Sequence, residues 1–180
     1  MSNEQSESSP LNEFSGCHDG IISNFHRLQD LVERYRHGEE PRQLRKTARQ
    51  LLDFFEDVVR DHHAEEEEEL FVAVLQNLDG EDEDTARRAR ELVRQLTVEH
   101  RQLEALWEGI EKGLRRLARG KPGEFDDTAA ALLAERYLSH AELEEREFLP
   151  LAARILDKQA MSELGLSLHL RHMERVNAYI

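Results

Sequence analysis

Residues 62–72 read H-H-A-E-E-E-E-E-L-F-V, and residues 140–150 read H-A-E-L-E-E-R-E-F-L-P. Both stretches share one pattern: a histidine, a Glu-Glu pair opening four residues later, then an apolar step. In a helix, residues i and i+4 lie on one face, so His62 points with Glu66 and His140 with Glu144. The surrounding sequence is rich in Ala, Leu, Glu and Arg, and its apolar residues recur at helical rather than strand spacing.

Outward from these stretches, four long apolar-periodic segments appear with sharp punctuation between them. Residues 1–13 are polar and Ser/Glu-rich and read as a flexible tail. A first helix is expected over 14–37, with Ile21, Phe25, Leu28, Val32 and Tyr35 on one stripe; Gly38 stops it. Pro41 opens a second helix, to residue 78, and D-G-E-D-E-D makes the next loop. A third helix is expected over 84–118 and a fourth over 124–157, where Pro150 should kink the helix or end its regular part. A weaker amphipathic segment, 161–178, reads as a short fifth helix. The expected fold is all-α: an antiparallel up-down-up-down four-helix bundle over 14–160, with a C-terminal helix in 161–180 packed upon it.

Each of the four long helices interrupts its apolar stripe with a histidine: His18, His62, His100 and His140. Measured from the expected helix ends, their depths agree to within roughly one helical turn, so the four imidazoles can meet in one layer. The chain reads as two similar halves, each with one lone histidine and one His-Glu pair, which suits two metal ions. A single buried histidine is usually a hydrogen-bonded core residue. Four at matched depth, two of them with Glu66 and Glu144, outweigh that reading. An unpaired buried carboxylate costs several kcal/mol, and metal ligation removes the penalty. Mixed nitrogen and oxygen ligands suit iron, manganese or zinc alike.

Neighbouring polar residues have plainer readings. Glu65, Glu68 and Glu69 form a solvated face. Glu67 and Glu145, a further 100° around, belong beside the ligands or at the surface. His63 is expected to point away from His62, behind the ligands or at the surface. His169 and His172 are spaced for a separate weak site but read as surface residues.

Composition narrows the function. The 180 residues carry a formal charge of -14, with no basic face to neutralise phosphates or bind an anionic membrane. No apolar run reaches bilayer length, and the N-terminus lacks the pattern of a signal peptide. Cys17 is the only cysteine, which excludes an internal disulfide and fits a reducing compartment. A cytoplasmic protein is expected.

The residues C-H-D-G-I-I around His18, H-H-A-E-E-E-E-E-L-F from His62, E-H-R-Q-L-E-A-L-W around His100 and H-A-E-L-E-E-R-E-F-L-P from His140 carry a resemblance. Over about residues 14–157 the chain resembles the hemerythrin-like cation-binding family, the HHE domain. The resemblance implies two iron ions, oxo- or hydroxo-bridged, held by His18, His62, Glu66, His100, His140 and Glu144. It also draws in Glu104, at the position where oxygen-carrying hemerythrins have a second histidine one turn after the first; Glu104 is either a ligand or a surface residue beside Leu103. An anionic ligand there would favour the ferric state and weaken reversible oxygen binding. The resemblance implies a protein that binds or senses oxygen, nitric oxide, peroxide or iron rather than an enzyme. The alternatives are catalase-like peroxide turnover at the same site and a metal-free helical interaction module.

Overall fold

A computed structural model of the chain describes residues 9–178, with side chains described to residue 171. Among the described residues the structure is helical throughout, without strands. Helix α1 (Pro10–Arg36) opens on a proline, whose missing N–H is unneeded in a first turn. The expected tail therefore ends earlier than residue 13: Leu11 and Phe14 are already buried in the core, while residues 1–8 lie outside the described residues. Gly38, with φ of +76°, takes the left-handed conformation that ends the helix.

Helix α2 covers residues 41–76 and is not uniform. Two wide π turns, Phe55–Val59 and Glu66–Leu70, separate its α-helical parts Pro41–Phe54, Arg60–Glu65 and Phe71–Gln76. Helix α3 (Glu83–Ala118) is capped by Asp82, whose carboxylate accepts from the N–H groups of Asp84 and Thr85. Helix α4 covers residues 127–155 as Asp127–Leu143, a π turn Glu144–Phe148 and Leu149–Ile155. Pro150 does not end it. The π turn just before, where the Leu149 N–H donates to the Glu144 carbonyl, leaves the proline at the start of the last segment.

Helix α1 packs against α2 and α4, and α3 packs against the same two, so the four enclose one interior. That interior has two apolar regions. One is built from Ile21, Phe25, Phe55, Leu103, Trp107 and Tyr137 with their neighbours, the other from Phe14, Leu70, Phe71, Leu96 and Phe148. In each helix the chain passes from one region to the other through a buried polar residue. The last helix, α5 (Lys158–Ala178), buries Ala160, Leu164 and Leu168 in the second region. Arg171 of α5 pairs with Glu68 and Glu69, so the solvated side of the glutamate run helps to hold it. Among the described residues no helix is long and apolar enough to cross a membrane.

Candidate metal centre

Seven polar side chains are buried among the described residues: His18, His62, His63, Glu66, His100, His140 and Glu144. All lie in the layer between the two apolar regions. His18 comes from α1, His62 and Glu66 from α2, His100 from α3, and His140 and Glu144 from α4. Their spacing follows from the helical repeat, which sets His62 Nε2 3.2 Å from Glu66 Oε1 and His140 Nε2 3.4 Å from Glu144 Oε1.

The carboxylates reach across the layer. Glu66 presents its other oxygen, Oε2, 3.4 Å from His100 Nε2. Glu144 presents Oε2 3.1 Å from His18 Nε2. Each glutamate thus has one oxygen in each half of the site. Two sets of four residues could each hold an ion: His18, His62, Glu66 and Glu144 in one, and Glu66, His100, His140 and Glu144 in the other. Both carboxylates belong to both sets.

The outer ring nitrogens are held by a second layer of carboxylates. His18 Nδ1 lies 2.6 Å from Glu145, His100 Nδ1 2.8 Å from Glu67 and His140 Nδ1 2.8 Å from Glu99. Such contacts place the proton on Nδ1 and leave Nε2 free to face an ion. The doubled glutamate therefore has two roles: the first of each pair faces inward and the second holds a histidine of the other half. Glu99 is the partner that sequence reasoning missed; its only signal is its position directly before His100. The matching position before His18 is Cys17, and His62 Nδ1 has no hydrogen-bond partner among the described residues.

The buried imidazoles and carboxylates shift one another's protonation. Burial pushes His18 and His100 down, but the Glu144 and Glu66 carboxylates reverse this and hold them up at about 11 and about 10. Burial would raise Glu66 and Glu144, yet the surrounding imidazoles hold both below the usual carboxylate range. His62 is pushed down by burial. Protons thus balance the carboxylates only in part: Glu66 Oε2 and both oxygens of Glu144 have no hydrogen-bond partner among the described residues. Imidazole nitrogens and carboxylate oxygens left open in this way fit a divalent or trivalent cation.

For His63 and Glu104 the sequence left two readings each. His63, expected behind the ligands or at the surface, is 1% exposed and lies flat on His100, with ring centres 4.0 Å apart and planes 7° from parallel. Burial pushes it down to about 4. Glu104 is not brought into either four-residue set. Its carboxylate lies 3.4 Å from Arg101 and 3.6 Å from His63 Nδ1, and the side chain is 31% exposed. His169 is exposed, and the side chain of His172 lies outside the described residues.

A surface groove of about 600 Å³ between α3 and α4 runs down to His140, with Glu99, Leu103 and Leu143 in its lining. The outer edge of the second half is thus close to solvent.

No curated protein matches the sequence. The model of the hemerythrin HHE cation binding domain matches residues 9–152, which include every residue of both four-residue sets. The chain belongs to the hemerythrin HHE cation-binding family.

Proposed function

We propose that the chain is a two-iron protein that binds or senses a small oxidant or gas, of the class of oxygen, nitric oxide and peroxide. The observation that carries this reading is the sharing of Glu66 and Glu144 between two four-residue sets. A single ion would use only one set and leave buried imidazoles of the other unligated. His18 and His62 would hold one iron, His100 and His140 the other, and the two carboxylates would link them. The oxo or hydroxo bridge implied by the family resemblance belongs to the same proposal. Bound there, an iron pair supplies redox electrons and an open position for a small ligand.

The chain's own residues supply position and dryness. Glu145, Glu67 and Glu99 orient the imidazoles, and Phe14, Phe71 and Phe148 close the layer on one side. The proposal includes the antiparallel up-down-up-down course of the four helices. It is supported by Arg36 at the end of α1 pairing with Asp127 at the start of α4. Arg88 near the start of α3 likewise pairs with Glu147 late in α4. A metal-free interaction module is disfavoured, because it would bury seven polar side chains with several unpartnered atoms and nothing to hold. The test is iron per chain in protein produced with ample iron. Two irons are expected in the wild type, with loss of stoichiometric metal in His62→Ala and His140→Ala. Retention of both metals by these variants would overturn the assignment.

A further inference from the structure

The formal charge of -14 is not spread evenly, and the expectation of no basic face fails at one end of the bundle. Residues 42–49, early in α2, read R-Q-L-R-K-T-A-R; residues 112–121, from late α3 into the turn after it, read K-G-L-R-R-L-A-R-G-K. Together the two runs hold nine cations and no acid, which leaves -23 on the rest of the chain. They are far apart in sequence, but the fold joins them. A Cβ at Gly120, just past the end of α3, would lie 3.5 Å from Arg42 Cγ and 3.6 Å from Arg45 Cδ. Arg115 of α3 pairs with Glu56 of α2 as well as with Glu111 of its own helix.

All nine cations are exposed. Apart from Arg115, none has an ion-pair or hydrogen-bond partner for its side chain among the described residues. Carboxylates at this end are taken instead by other cations, Glu39 by Arg34 and Asp127 by Arg36. Elsewhere on the surface Arg87, Arg88, Arg101, Arg146 and Arg171 each pair with a carboxylate. In a chain with 38 acidic residues, eight neighbouring cations without a carboxylate form a surface open to an outside anion.

The extent of the patch selects the partner. Six of the nine cations are arginines, whose planar guanidinium groups grip a carboxylate or phosphate through two parallel hydrogen bonds. Each run covers only about 10–14 Å of chain at helical rise. The first charged residue beyond each end of either run is acidic: Glu40 and Asp53 for one, Glu111 and Glu124 for the other. A duplex nucleic acid or an anionic membrane would run on over those carboxylates and be repelled. A short acidic segment, about four extended residues at about 3.3 Å each, stays within the basic area. A surface groove of about 320 Å³, lined by Lys112, Arg115, Arg116 and Arg119 together with Glu108 and Glu111, offers it a seat.

We propose that this basic end of the bundle is a docking surface for a short run of aspartate and glutamate residues in a partner protein. It stands clear of the metal layer, since His100 and Arg115 are separated by about 22 Å of α3. Its test is therefore independent of how many irons the layer holds.

The test follows binding of a fluorescently labelled hexaglutamate peptide to the full-length protein by fluorescence anisotropy, at about 0.1 M salt, where charges act over about 10 Å. A labelled hexaglutamine peptide, duplex DNA and anionic phospholipid vesicles are measured alongside. The wild type is expected to bind hexaglutamate, to release it as salt rises to about 1 M, and to ignore hexaglutamine. Replacing Arg45 and Arg119 together by Gln should weaken binding at least about fivefold, the loss of two exposed ion pairs. Arg45→Glu with Arg119→Glu should abolish it, with circular dichroism and metal content unchanged in both variants. Arg90→Glu reverses an exposed charge near the start of α3 and should move the affinity less than about twofold. No binding of hexaglutamate by the wild type, or equal binding by the Gln variant, would overturn the proposal. So would a loss in Arg90→Glu as large as in the patch variants, which would be an effect of net charge alone. Tighter binding of DNA or vesicles than of hexaglutamate would overturn the choice of an acidic protein segment.

Discussion

Glu66 sits between two halves of the site: its Oε1 lies 3.2 Å from His62 Nε2 on its own helix, and its Oε2 lies 3.4 Å from His100 Nε2 on another. Both oxygens of this fully buried carboxylate therefore face imidazole nitrogens. Under the two-iron proposal, replacing Glu66 by Gln removes the charge that both ions would share. The variant is expected to hold at most one metal per chain while keeping its helices, checked by metal analysis and circular dichroism on the same sample.

Glu67 reaches His100 Nδ1 at 2.8 Å but does not enter the metal layer. Its removal should free the ring to turn without removing a ligand. Glu67→Ala is expected to lower metal affinity by about 10–100-fold. Competition with a chelator of known affinity measures this, and Glu145→Ala should behave alike through His18.

Protonation of the metal-free layer sets a dependence on pH. Burial lowers His18 and His100, but Glu144 and Glu66 hold them up at about 11 and about 10. A histidine in an unfolded chain titrates near about 6.5. The stability these groups contribute is therefore fully present below a pH of about 6.5 and is lost as pH rises through about 10 to 11. The metal-free protein is expected to melt at progressively lower temperature over that upper range. Loading with metal at neutral pH should release protons, because a ligand nitrogen must be bare. A potentiometric titration with ferrous iron checks this.

Two glycines of α3 should respond to alanine in opposite directions. A Cβ at Gly109 meets nothing within 4 Å, so Gly109→Ala should stabilise by about 0.5–1 kcal/mol through helix propensity. At Gly113 a Cβ would come 2.9 Å from the Glu124 carbonyl oxygen and 3.0 Å from Phe125 Cα. Gly113 is where the loop before α4 crosses the helix, and Gly113→Ala should destabilise by about 1–3 kcal/mol. Thermal or denaturant melts of the two variants decide it.

The all-helical character and the meeting of His18, His62, Glu66, His100, His140 and Glu144 were legible in the sequence, because the α-helical repeat alone fixes which residues share a face. Helix ends were legible to within a few residues where Pro41, Gly38 and the run D-G-E-D-E-D mark them. The burial of His63 was not. It lies 100° around from His62, outside the narrow stripe that apolar periodicity reveals, yet a helix with two bundle neighbours buries a wider face. The π turns were also hidden, since no residue type encodes them, and Glu66 and Glu144 each open one. Glu104 has the helical angle to join the layer, but angle does not show that its carboxylate stays 31% exposed beside Arg101.

The two-iron reading is tested most directly by Mössbauer spectroscopy of oxidised protein loaded with iron-57, together with iron counted per chain. Two irons per chain, present as one magnetically coupled pair, are expected if Glu66 and Glu144 bridge them. One iron per chain, or two that show no coupling, would contradict the bridged site.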